Sequence, residues 1–154
     1  MPLYLTQGLH RAVQQRPERI ATIFGERQHT YARYGDRVAR LAGALQALGV
    51  ARGDRVGMLG LNSDRYLEFF FGTWWAGAAV NPVNIRWSTA EIAYSLDDCG
   101  TRILLVDDTF KDRAAELRSQ SRELQTLVYT GDGETPAGML NYEALLAAAA
   151  PVPD

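Results

Sequence analysis

The chain has 154 residues, 47% of them apolar and 22% charged, and a formal net charge of −2. That length suits about one domain able to bury roughly two-thirds of its unfolded surface, and the composition excludes a disordered segment. A net charge so near zero removes the electrostatic case for a nucleic-acid binder, which needs a clustered basic face.

The arginines run from Arg11 to Arg122, mostly on polar faces, and read as solvated surface. Lys111 is the single lysine, so a mechanism that uses a phosphate-loop lysine and a second catalytic lysine cannot be housed here. Cys99 has no partner for an intrachain disulfide, and His10 and His29 with one cysteine leave too few ligands for a zinc site. The apolar run from Phe69 to Val80 is interrupted by Gly72 and Gly77 and is too short to span a bilayer. The first residues lack a charged-then-apolar signal pattern, so a cytoplasmic, reducing compartment is the expectation.

In chain order, Leu3 to Gln15 is predicted as an opening helix with Leu5, Leu9 and Val13 on one side, ended by Pro17. Ile20 to Phe24 and Gln28 to Thr30 form a hairpin across Gly25-Glu26. Thr30 caps a helix whose stripe is Tyr34, Val38, Leu41, Leu45 and Leu48, with Arg33, Arg37 and Arg40 off the stripe. Gly49 takes the left-handed position after it. Arg55 to Leu59 is a strand, and Asn62 or Ser63 caps a helix to about Ala76 that is apolar nearly all round and therefore covered on more than one side.

The stretch from Trp74 to Asp98 carries the most information. It reads as a helix end, a strand from Ala79 to Val83 central to a parallel sheet, a loop held open by Asn81, Pro82 and Asn84, and a helix capped by Ser88. Arg102 to Val106 and Thr126 to Tyr129 are further strands, separated by a polar surface helix from Phe110 to about Ser121. A Gly/Pro-rich loop over residues 131–138 leads to a helix from about Asn141 to Ala149. Strands alternating with helices predict an α/β fold with a mostly parallel sheet and helices on both faces. Residues 1–150 form one unit and 151–154 a linker-like tail marked by Pro151 and Pro153.

Several motifs invite a site and fail on physical grounds. YTGDGETPAG (129–138) looks like a phosphate loop, but it has no lysine, and Asp132 and Glu134 repel an anion, so a plain surface turn is the better reading. GDRVGMLG (53–60) has the wrong glycine spacing for the dinucleotide fingerprint. Asp97-Asp98 and Asp107-Asp108 read as helix-end and loop solvation rather than metal ligands, and Trp74 and Trp75 as core. Arg86 stands apart. A cation in a strand-to-helix loop, beside Trp87 and near a capped helix N-terminus, suits an anionic ligand, although the residues alone favour a surface salt bridge slightly over it.

Two long segments, HTYARYGDRVARLAGALQALGVARGDRVGMLGLNS (29–63) and WWAGAAVNPVNIRWSTAEIAYSLDDCGTRILLVDD (74–108), resemble the amino-terminal part of the adenylate-forming (AMP-binding) enzymes. The first is similar to that family's Thr-Tyr start, amphipathic helix, Gly-Val turn and Gly-Asp-Arg-Val strand. The second is similar to its Ala-Gly, Val-Asn-Pro, Asn-x-Arg and Glu-Ile segment. The Asn-x-Arg form, followed by Trp-Ser, looks more like fatty or aromatic acyl-CoA synthetases than peptide-synthetase domains.

The resemblance implies the amino-terminal subdomain of that fold and a two-step ligase. ATP, with Mg, activates a carboxylic (fatty) acid as acyl-adenylate, and CoA then takes the acyl group. The family's lysine-bearing phosphate loop and its C-terminal domain with the catalytic lysine have no counterpart in residues 1–154. The expectation is therefore an amino-terminal fragment, inactive alone and holding no cofactor. One family role carries over, to Arg86, as a contact for the CoA nucleotide phosphate. Alternatives are an aryl or amino acid adenylating enzyme that loads a carrier protein, an amino-terminal module that forms a homodimer, and a flavodoxin-like regulatory module.

Overall fold

The computed structural model describes residues 4–154. Its elements are α1 (Gln7–Gln15), β1 (Ile20–Phe24), β2 (Arg27–Thr30), α2 (Tyr31–Ala47), β3 (Arg55–Leu59), α3 (Asp64–Trp75), β4 (Ala79–Pro82), α4 (Thr89–Asp98), β5 (Ile103–Val106), α5 (Lys111–Gln120), β6 (Thr126–Tyr129), β7 (Leu140–Asn141) and α6 (Tyr142–Ala148). Leu3, the expected start of the first helix, lies outside the described residues.

β1 and β2 pair antiparallel as a separate hairpin, and the other five strands form one parallel sheet in the order β4-β3-β5-β6-β7. Period-two alternation sorts its side chains. Val56, Met58, Ile103, Leu105 and Val128 face Leu41, Leu45, Phe69, Tyr142 and Leu146 of α2, α3 and α6. Leu59, Leu104, Val106 and Leu127 face Ile92, Leu96, Ala114 and Leu117 of α4 and α5. Buried on both sides, β5 is Ile-Leu-Leu-Val without a polar residue, as a doubly covered parallel strand requires. α1 and the hairpin close a smaller cluster around Leu9, Tyr34 and Val38.

Helix starts follow local chemistry. Thr30 Oγ1 accepts from the Arg33 amide at 3.2 Å, Ser63 Oγ from Tyr66 at 3.1 Å and Asn141 Oδ1 from Ala144 at 2.9 Å, each satisfying a donor the first turn leaves free. Gly49 sits at φ 89° just past α2, a conformation an L side chain rarely adopts.

Four expectations change. β4 is an edge strand rather than a central one, because β3 pairs it on one side only. The inward face of α3 carries Asp64, Arg65 and Glu68 beside Phe69, while Leu67 is exposed, so the helix is not simply an apolar cylinder. Trp74 and Trp75 are half-buried and line an open groove of about 1050 Å³ with His10 and Arg52, rather than sitting inside the core. Arg37 and Arg65 are buried, at 5% and 6% exposure, where arginines on polar faces were expected to be solvated. One element had no signal at all. β7 is two residues long, too short to show a period, and exists because Val128 and Tyr129 offer it a free edge.

The last residues lie along α2. Arg40 donates to the Ala149 carbonyl at 2.8 Å, the Val152 amide to Ala39 O at 3.3 Å, and Trp75 Nε1 to Val152 O at 2.8 Å. His10 Nε2 and Asp154 Oδ2 are 2.8 Å apart, and Thr6 donates its hydroxyl to the same oxygen.

Candidate functional site

Strand order reverses between β3 and β5, since β3 leads outward to β4 while the chain after β5 runs the other way. Open α/β sheets usually place ligands in the crevice at such a point, beyond the carboxyl ends of the strands. Here Asp107 spans that crevice. Its Oδ2 accepts from the Leu61 amide at 2.6 Å and its Oδ1 from Thr109 at 2.9 Å, so the loops after β3 and β5 are tied to each other. Asp108 does similar work one residue on, accepting from the Asp132 amide at 2.9 Å and from the Tyr129 hydroxyl. The Tyr129 hydrogen bond, against a smaller cost of burial, holds the Asp108 carboxyl below its ordinary range. Asp97 accepts from Ser121 Oγ at 2.6 Å and from the amides of Arg122 and Glu123. These carboxylates are loop staples. Among the described residues, no group of three His, Cys, Asp or Glu side chains is placed to hold a metal ion.

The loop after β4 is built differently. Asn81 and Pro82 belong to the strand, and Asn81 Nδ2 reaches Thr101 Oγ1 at 3.1 Å, so these two residues do not open the loop. The turn begins at Val83, which is buried and donates its amide to Met58 O at 2.9 Å. Asn84 then makes the turn itself. Its Oδ1 accepts from the Arg86 amide at 3.0 Å, and its carbonyl accepts from Trp87 at 3.2 Å. Ser88 and Glu91 form a reciprocal capping box at the start of α4, and Arg113 on α5 donates to the Trp87 carbonyl at 2.7 Å. The backbone is thus fixed at both ends while the Arg86 side chain is exposed and makes no ion pair with any described residue. The salt bridge weighed from the sequence is not formed with any described residue. What the geometry supplies is a solvent-facing guanidinium on a rigid loop at the carboxyl edge of the sheet.

The phosphate-loop look-alike is tied down by its acids. Asp132 accepts from Arg65 Nη1 at 2.9 Å and from Arg27 Nη1 at 2.5 Å, and Arg65 Nη1 also donates to Thr130 O at 2.7 Å. These contacts belong to a charge cluster that the sequence reading missed, buried at Arg37, Asp64, Arg65 and Glu68 and open to solvent at Asp132 and Glu143. Arg37 grips Glu68 through Nε and Nη2 at 2.6 and 3.0 Å, and Tyr142 donates its hydroxyl to Glu68 at 2.6 Å. Glu143 accepts twice from Arg37 at 2.8 Å and once from Arg65 Nε at 3.0 Å. Arg27 forks onto Asp64 at 2.9 and 3.0 Å. Burial pushes the Glu143 carboxyl up, but the hydrogen bonds and charges of Arg37 and Arg65 outweigh it and hold it at about 2. A signal was available: Arg37 is three residues after Tyr34 and four before Leu41, on the rim of the apolar stripe, and Glu68 follows Asp64 by one helical turn.

A doubly covered parallel sheet with an exposed guanidinium, Arg86, on a fixed edge loop defines an α/β protein of the open-sheet class, in which ligands generally approach from the strands' carboxyl ends. Comparison with known proteins narrows the class. Residues 9–153 match the AMP-binding enzyme family. The chain is 36% identical over 141 residues to a long-chain-fatty-acid–CoA ligase of Thermus thermophilus, covering 84% of this chain and 26% of that protein. It is 39% identical over 108 residues to the fatty acid–[acyl-carrier-protein] ligase ScoC of Streptomyces coeruleorubidus, covering 70% of this chain and 20% of that one. The solved structure of the anthranilate CoA ligase AuaEII in complex with anthranoyl-AMP superposes with a TM-score of 0.89 at 28% identity, over 97% of this chain and 29% of that chain.

The chain belongs to the AMP-binding enzyme family of adenylate-forming acid ligases. It spans only about a fifth to a quarter of the length of the curated relatives it matches.

Proposed function

We propose that this chain is the amino-terminal part of an ATP-dependent acyl-CoA synthetase that activates a carboxylic acid, of the fatty class, as its adenylate and passes it to CoA. The family match over residues 9–153 carries this reading. Its fatty-acid component is supported by the fatty acid ligases among the relatives, at 36% and 39% identity.

Within this reading Arg86 contacts the CoA nucleotide phosphate. An exposed guanidinium with no carboxylate partner, on a loop pinned by Asn84, the Ser88–Glu91 box and Arg113, meets a mobile polyanion without having to break an existing ion pair. The described residues do not fit ATP or magnesium. The 129–138 loop lacks lysine and has Asp132 engaged by two arginines, and the loop carboxylates Asp107 and Asp108 are spent on backbone amides. No adenylation step is therefore assigned to this chain, and the 154-residue chain alone forms no thioester.

The test uses the product of the complete coding region with ATP, magnesium and CoA, against a panel of fatty, aryl and amino acids. Release of AMP and pyrophosphate with fatty acids, together with acyl-CoA formation, is the expected result. Pyrophosphate exchange confined to aryl or amino acids, with transfer to a carrier protein rather than CoA, would replace the fatty acyl-CoA assignment with the carrier-loading one.

A further inference from the structure

We propose that the cleft between the end of α1 and the β1–β2 hairpin docks on the phosphate headgroups of an anionic bilayer surface. The cleft has a volume of about 440 Å³ and is lined by Arg11, Arg16, Arg19, Gln15, Ile20 and Tyr31 among others. Arg27, Arg37, Arg40, Arg65 and Arg102 each close on a carboxylate. None of Arg11, Arg16 and Arg19 does so among the described residues, and Arg11 has only a 3.4 Å hydrogen bond to Gln15. No carboxylate lines the cleft.

The backbone between the arginines is fixed. The Arg19 amide donates to Arg16 O at 3.1 Å, and the carbonyls of Arg19 and Pro17 accept from Tyr31 and Ala32, both at 2.9 Å. Arg16 and Arg19 are thereby held on a turn fastened to the start of α2. A position after the C-terminus of α1 favours one cation through the helix dipole, which accounts for Arg16 but not for what stands beside it.

What stands beside it is apolar. The β1–β2 register shifts between Ile20 and Thr22, and Ala21 and Thr22 both line the inner cavity toward α1 and α3. The bulge turns Ile20 and Ile23 to the outer side, where they are 47% and 66% exposed. Ile20 itself lines the arginine cleft, so the cations share their surface with an exposed aliphatic side chain, and Ile23 is exposed three residues further along the same strand. Exposed guanidiniums hold a lone phosphate in water only weakly. A bilayer presents many headgroups in one plane with an acyl boundary just beneath, and that suits splayed arginines beside the exposed Ile20.

The experiment is sedimentation of the product of the complete coding region with vesicles of equimolar phosphatidylglycerol and phosphatidylcholine, and with vesicles of phosphatidylcholine alone. Binding is expected to the first and not the second, and to weaken with added salt. R11Q/R16Q/R19Q should lower partition on the order of a hundredfold, at about fivefold per arginine. I20S/I23S should lower it severalfold, and R52Q, which removes an unpaired arginine outside the cleft, should leave it unchanged. Circular dichroism on the three variants checks that the fold is retained. Equal binding to both vesicle types, or an equal loss in R52Q and the triple variant, would overturn the proposal. So would displacement by inorganic phosphate at constant ionic strength, which would make the cleft a site for the free ion. Partition needs no turnover, so a failure here leaves the ligase reading standing.

Discussion

The guanidinium of Arg37 meets the carboxylate of Glu68 through two parallel hydrogen bonds, with the Glu68 side chain wholly withdrawn from water. The pair joins α2 to α3, and Tyr142 and Glu143 bring α6 onto the same charges. A desolvated ion pair stabilises little beyond what a well-packed apolar pair would, yet breaking it leaves one charge buried without a counter-ion. R37M is therefore expected to cost about 3–5 kcal/mol, much of a domain's total stability. R37M/E68M should recover most of that loss. Urea unfolding of the two variants checks this, and a single-variant loss no larger than that of an exposed pair would contradict it.

The same cluster sets an acid limit. The Glu143 carboxyl is held at about 2 against an ordinary value of 4.5. A depressed folded-state value means that the unfolded chain takes up the proton first. The stabilisation is complete above about pH 4.5 and is lost as pH falls toward 2. Asp64 and Asp132 are lowered too, the first by Arg27 against its burial and the second first of all by its hydrogen bond to Arg27, so they act in the same direction. His29, held below its ordinary value by burial and then by the Arg37 charge, adds a loss that begins as pH falls through 6.5. Thermal unfolding from pH 7 to 2 should show E143Q with a shallower decline than the unaltered chain, confined to the region below about pH 4.5.

Gly43 faces the last residues across α2. A Cβ there would overlap the Ala150 carbonyl oxygen and lie 3.3 Å from Val152 Cγ1. Alanine favours a helix over glycine by about 1 kcal/mol, whereas overpacking costs about 1–3 kcal/mol. G43A should therefore be neutral to destabilising despite its better propensity, with the 149–154 segment lifted off the helix. The hydrogen bond from Trp75 Nε1 to Val152 O provides the readout through tryptophan emission. A clearly stabilised G43A with unchanged emission would show that the segment is not held against α2.

Arg86 is the one residue offered for substrate contact. If the proposed acyl-CoA synthetase reading holds, R86A in the full-length protein should raise KM for CoA about tenfold, the low end for a charge-assisted hydrogen bond once solvent screening is allowed for. ATP–pyrophosphate exchange should not change, because adenylation precedes the thiol step. An unaltered KM for CoA removes Arg86 from the site.

Loss of the Ser88 cap tests the loop that carries it. S88A removes the acceptor for the Glu91 amide and one half of the reciprocal box. About 1 kcal/mol of stability should go with it. If the loop positions Arg86, the same variant also raises KM for CoA in the intact enzyme, while an effect on stability alone would make the cap purely structural.

The sequence by itself determined the order and type of nearly every element, because each is announced locally. Thr30 and Ser88 cap their helices as their position predicts, Ser63 is one of the two caps expected for α3, Gly49 ends α2, and β5 reads as an unbroken apolar run. It also placed Arg86 on an exposed loop between a strand and a capped helix. What only the tertiary structure decided were the partners. Periodicity says which side of α2 is apolar, but not that Arg37 on its rim finds Glu68 and Glu143 from elements thirty-one and one hundred and six residues away. It names β4 as a strand, but its rank at the sheet edge depends on which neighbours pair with β3. Tryptophans are large and apolar in any sequence, yet whether Trp74 and Trp75 are enclosed or line a groove depends on what packs over α3. Local structure follows from steric and capping terms within a few residues. Charge pairing, sheet rank and burial depend on contacts between distant segments, and those exist only once the chain has closed.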